Sequence, residues 1–168
     1  MNCFKFISKA LATSLVLTSC VAFAQTTEKN VEVKDVWIRS TVAGQQASGA
    51  FMKITARQGT QLVDVSSPAA GVAEVHEMKV ENDVMKMRAV PLLSLPPGKV
   101  VELKPGGYHV MLMDLNQAFV VGSTVPLTLH FQNAKGLKSR LDLMVPVRAT
   151  PPGAGSEKAD LADKLKAH

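Results

Sequence analysis

The chain of 168 residues has only two cysteines, Cys3 and Cys20, and both fall within its first 24 residues. Lys5 and Lys9, the uncharged apolar stretch from Ala10 to Ala24, and "AFA" before Gln25 read together as a signal peptide, residues 1–24. Its apolar stretch falls short of the roughly 20 residues a membrane-spanning helix needs. A second reading is a lipoprotein signal, because "LTSC" (Leu17 to Cys20) resembles a lipobox in which Cys20 would be lipidated. Either route exports the chain to an oxidising compartment with no free thiol left on it. That excludes a structural disulfide, a cysteine nucleophile and a thiolate metal ligand.

Aromatic residues are scarce, with one Trp, one Tyr and six Phe. Positive charge is not clustered either: removing Lys5 and Lys9 lowers the formal net charge from +5 to +3, and the remaining basic residues are scattered. Nucleic acid, stacked sugars and anionic membrane surfaces are therefore poor candidate partners. No internal repeat is present, and no long apolar stripe of helical period occurs before the C-terminus.

What is present is a succession of short β-branched runs separated by turn residues. Strands are expected over 31–39, 48–55, 61–67, 73–80, 84–90, 99–104, 108–115, 124–131 and 140–147. Eight or nine strands in one domain, residues 25–148, predict an all-β sandwich or small barrel. "ENDV" (81 to 84) suits a tight hairpin, "PPGK" (96 to 99) a turn, and "PGGY" (105 to 108) a sharp bend immediately before His109. From 149 to 168 a Pro/Gly linker leads into a charged stretch, read as a flexible tail.

The unusual feature is the placing of histidine and methionine. "VHEMKVENDVMKM" sets His76 and Met78 two apart, then Met85 and Met87 two apart; "YHVMLMDL" sets His109, Met111 and Met113 in one phase. Residues two apart on a strand share a face, with Cα atoms roughly 6.5–7 Å apart. The "ENDV" hairpin would bring Met78 or His76 across from Met85 or Met87, and a third strand would add His109 and Met111. A single strand methionine is ordinarily core filler and a single histidine ordinarily structural. Five of the eight methionines and two of the four histidines nevertheless lie within 76–113. Thioether sulfur is neutral and soft, so such a set suits Cu(I) rather than Mg²⁺, Ca²⁺ or Zn²⁺. Two neutral imidazoles and two thioethers would leave the site with the ion's own single positive charge.

The same residues carry a family resemblance. His76, Met87, His109 and Met111 stand in the spacing H-x10-M-x21-H-x-M, and "VWIRST", "SGAFMKIT", "EVHEM", "ELKPGGYHVMLMDL" and "VPLTLHF" follow in order over residues 31–148. In this the chain resembles the PCuAC family of periplasmic copper chaperones. The resemblance implies a cupredoxin-like β-sandwich, the ligand set His76, Met87, His109 and Met111 for one Cu(I), and a periplasmic location. It also implies a non-enzymatic function: supplying Cu(I) to the copper centre of cytochrome c oxidase, with Sco-type proteins or the oxidase subunit as acceptor; a monomer is expected, although the sequence does not fix the oligomeric state. Met78, Met85 and Met113 become a surrounding set, either shielding or transient ligands or core packing. The tail offers only His168, which makes a second, Cu(II)-type site doubtful.

Trp37, Arg39 and Tyr108 are expected to pack, Glu77 and Asp114 to face solvent or a partner, and His130 to be structural. Three rival functions fit the sequence less well or no better. An electron-transfer cupredoxin lacks the thiolate that blue copper requires. An enzyme lacks a carboxylate base cluster, a three-histidine set and a G-x-S-x-G. A copper-sequestering protein serving tolerance would use the same residues, and the sequence does not separate it from a delivery protein.

Overall fold

Alternation of apolar and polar side chains gives each short run one face to bury, and the computed structural model, which describes residues 30–152, arranges them as ten strands. These are β1 (Val31–Arg39), β2 (Ala47–Ala56), β3 (Thr60–Ser66), β4 (Ala70–Glu81), β5 (Val84–Ala89), β6 (Leu93–Leu95), β7 (Val100–Leu103), β8 (Tyr108–Leu115), β9 (Thr124–Asn133) and β10 (Lys138–Arg148). No helix occurs among the described residues. The nine expected strands are all present, with ends moved by up to three residues. The tenth, β6, was not foreseen: Pro91 and Pro96 bracket "LSL", leaving a three-residue segment that pairs with β3 and buries Leu93 and Leu95. The expected signal, residues 1–24, lies outside the described residues, as does the tail beyond residue 152.

The strands form one continuous hydrogen-bonded sheet in the order β5-β4-β8-β7-β2-β1-β10-β9-β3-β6. β2 is long enough to pair twice, its first half with β8 (Ala47 to Ala50) and its second with β7 (Met52 to Thr55). The sheet turns over on itself at β1. A bulge between Lys34 and Trp37, where Asp35 takes φ 52°, bends the strand so that, still paired with β2 at Trp37 and Ile38, it also meets β10 in parallel at Ile38 and Arg39. Lys53 Nζ holds the bulge through Asp35 Oδ2 at 2.8 Å, and the carboxylate raises the Lys53 pKa above its ordinary value.

Between the two halves lies a single apolar core. Ile38, Ala50, Ile54, Val110 and Leu112 line it from one half, and Leu127, Leu129, Phe131 and Val145 from the other, all at most 1% exposed. On β8 the core side is thus taken by Val110 and Leu112. His109, Met111 and Met113 accordingly stand on the opposite, outward face.

Candidate metal centre

That outward face is built from β5, β4, β8 and β2, and three local features set its geometry. Asn82 and Asp83, at φ 53° and 60°, make the two-residue turn of the β4–β5 hairpin. This fixes a register in which Met78 faces Met87, Val80 faces Met85 and His76 faces Ala89. Next, β4 and β8 run antiparallel with His76 directly opposite His109 and Glu74 opposite Met111. Finally, Gly106 at φ 82° bends the chain into β8. The Gly107 carbonyl beyond it accepts from the Met78 backbone N–H at 3.1 Å and from the His109 ring at 3.0 Å.

The two imidazoles meet edge to face with centroids 6.1 Å apart, and each is held by one nitrogen. A carbonyl only accepts, so His109 Nδ1 carries the proton it donates to Gly107, which leaves the Nε2 lone pair free. His76 is held the other way round: its Nε2 donates to Glu74 Oε2 at 3.0 Å. Its Nδ1 is buried and has no hydrogen-bond partner. A buried polar atom left unsatisfied costs about 1–3 kcal/mol, a cost that an ion coordinated there would offset. Imidazole ligands of metals are commonly fixed in this way through their second nitrogen.

Beside the histidines opens a shallow cavity of ≈ 330 Å³. His109, Met78, Met85, Met87 and Met111 line it together with Gly49, Phe51 and Arg39. His76 does not itself line the cavity; it stands directly across the strand pair from His109. Phe51 forms the floor. Its ring folds back over Gly49, where a Cβ would sit only 2.8 Å from Phe51 Cζ. It packs on Trp37 at 4.6 Å between centroids, faces the His109 ring at 6.4 Å, and carries the Arg39 guanidinium 5.6 Å from its centroid.

Of the expected ligands, His76, His109, Met87 and Met111 all stand on this one face, Met87 half exposed and His109 buried. Met78 and Met85 join them, whereas Met113 lies farther along β8 opposite Ala47 and Val72. Among the described residues no three His, Cys, Asp or Glu side chains group as a metal site.

Several expectations are modified. Trp37 packs as expected, but Arg39 lines the cavity. Glu77 does lie on the face away from the histidines, yet it is not simply solvent-facing. Arg88 donates to its carboxylate from Nε and Nη2 at 3.2 and 3.0 Å and, with help from Tyr108, holds it below the ordinary carboxylate range. Burial, followed by the Glu77 carboxylate, pushes the Tyr108 hydroxyl up. His130 bonds Ser66 Oγ through Nε2 at 3.2 Å, in keeping with a structural role. Glu74, Gly49 and Phe51 were missed. Glu74 shares the phase of His76, and a glycine inside a strand signals close approach of another group, so both signals were present in the sequence.

A family model described as "Putative lipoprotein LpqE-like" matches residues 31–147, nearly the whole described domain. The chain belongs to the LpqE-like family. One relative is "Putative lipoprotein Lxx21020" of Leifsonia xyli subsp. xyli (strain CTCB07), 31% identical over 142 residues, covering 80% of this chain and 83% of that one. Among solved structures, this LpqE-like chain is similar to CuI-DR1885 from Deinococcus radiodurans, at 27% identity and TM-score 0.54, over 77% of this chain and 84% of that one. It also resembles a copper-bound PCuAC domain from PmoF2, at 23% identity and TM-score 0.58, over 72% and 94% of the two chains. The latter likeness establishes the fold, and the PCuAC resemblance read from the sequence is upheld.

Proposed function

We propose that this LpqE-like protein is a non-enzymatic copper chaperone that holds one Cu(I) through His76, Met87, His109 and Met111. The observation that carries this reading is the pairing of His76 with His109 across β4 and β8, each held through one ring nitrogen with the other unbonded by the protein, beside a thioether-lined cavity. Neutral imidazole and thioether together favour a soft monovalent ion over the hard divalent cations. Structural likeness to CuI-DR1885 supports the same ion, and the copper-bound PmoF2 domain shares the fold.

The exported chain carries its cargo to an acceptor by ligand exchange. With no thiolate in the donor set, the site adds no charge to the ion, and a partner offering cysteine sulfur draws Cu(I) away. We assign delivery to the copper centre of cytochrome c oxidase in the periplasm, directly or through a Sco-type protein. The test has two parts. X-ray absorption of the Cu(I)-loaded protein should show two nitrogen and two sulfur neighbours, and a shell without sulfur refutes the ligand set. A deletion strain should lose oxidase activity that added copper restores. Loss of copper tolerance with normal oxidase would instead assign the protein to sequestration.

A further inference from the structure

The proposed ligand set uses two of the four methionines lining the cavity and leaves Met78 and Met85 without a role. Core filling does not explain the sulfur-rich end of this face. Met85 is 59% exposed and Met87 49% exposed, on a strand whose every residue is exposed. Their arrangement is nonetheless specific. Met78 and Met87 are directly opposed across the hairpin, which places their Cβ atoms roughly 4.5–5.5 Å apart, and Met85 is the diagonal neighbour of Met78, within reach of a long side chain. The hairpin's other face is of a different kind. There Glu77, Glu81, Lys86 and Arg88 form a charged ladder at 3.0 to 3.8 Å. Sulfur is thus gathered on the side of the hairpin that carries His76 and is absent from the side that does not.

We infer that Met78, Met85 and Met87 form a second, outer station for a soft monovalent ion, Cu(I) or Ag(I), composed only of thioethers. The inference rests on the reading of the inner site as a Cu(I) site. Three thioethers suffice to hold Cu(I) loosely; they need no deprotonation and leave the charge unchanged. Met87 belongs to both sets, so the two stations are occupied alternately. An ion arriving from solvent is taken by Met78, Met85 and Met87, keeps its bond to Met87, and exchanges Met78 and Met85 for His76, His109 and Met111. The reverse path releases it to an acceptor. The oxidation state never changes, and no bond to solvent is required between stations.

The experiment follows the methionine ε-methyl resonances of the ¹³C-labelled protein during anaerobic titration with Ag(I), in wild type and in His76→Ala/His109→Ala. The double histidine variant should retain one weakly held ion, with shifts at Met78, Met85 and Met87 and none at Met111. Met78→Leu/Met85→Leu, which conserves core-like volume and so should fold, tests the station without touching the inner histidines. It should bind one ion as wild type does but load from a weak donor more slowly. If wild type binds one ion while the histidine variant shows no methyl shift and the leucine variant loads at the wild-type rate, the outer station is overturned and the inner site stands. If wild type binds no ion at all, both are overturned.

Discussion

Substitution of Gly49 by alanine probes how the fold holds the site, because two effects of opposite sign meet there. Gly49 lies inside β2 with an ordinary negative-φ backbone, so alanine would reduce unfolded-state freedom and stabilise by about 0.4–1 kcal/mol if space allowed. Space does not allow it: the new Cβ would sit 2.8 Å from Phe51 Cζ and 3.3 Å from Cε2. Phe51, 6% exposed, is confined between Trp37 and the His109 ring. Overpacking of this kind costs about 1–3 kcal/mol, so the steric term wins and Gly49→Ala should be destabilising by roughly 0–2.5 kcal/mol net. Urea unfolding of Gly49→Ala, Phe51→Leu and the double variant separates the two terms. In the Phe51→Leu background the same alanine should be neutral or stabilising, and the displaced ring should weaken Cu(I) retention only where Phe51 is present. If alanine at 49 is equally costly with and without the Phe51 ring, the proposed packing of Phe51 over Gly49 beneath His109 is wrong.

Glu74→Ala removes the acceptor that fixes the His76 ring, and loss of such a partner typically lowers metal affinity by about 10–100-fold. Cu(I) competition should show this drop with unfolding stability little changed, and Glu74→Gln, which still offers an acceptor oxygen, should recover part of it. Phe131→Ala, at a fully buried core position on β9, in the half of the sheet away from His76 and His109, should cost about 3–5 kcal/mol in urea unfolding while the folded fraction still binds the ion. Glu77 is depressed below its ordinary pKa by Arg88, so the stability it lends is fully present above the ordinary carboxylate range. It is lost as the pH falls through the depressed value. Glu77→Gln should therefore flatten the acid side of the stability–pH curve and converge with wild type at the lowest pH.

Much of this was legible in the sequence because strands and cross-strand pairs follow a period of two. The phase of His109, Met111 and Met113 against Val110 and Leu112 already separated the outward face from the core, and "END" already marked the hairpin, though not the register that sets Met78 against Met87. β6 was hidden because a three-residue strand set between prolines carries no periodicity. The tilt of Phe51 over Gly49 and the opposed tautomers of His76 and His109 depend on side-chain directions and on contacts between β2, β4 and the 104–107 turn. No local pattern encodes those. Arg39 illustrates the same limit: its position after "VWI" suggested packing, and only the fold of Phe51 back across β2 brings it to the cavity.

The most direct test of the central claim is an anaerobic titration of Cu(I) into the protein against a chromophoric Cu(I) chelator, run on wild type and on His76→Ala, Met87→Leu, His109→Ala and Met111→Leu. Withdrawal of one equivalent of Cu(I) from the chelator by wild type, weakened in every one of the four variants, is the predicted result. Failure of wild type to compete, or competition unaffected by His76→Ala and His109→Ala, would contradict it.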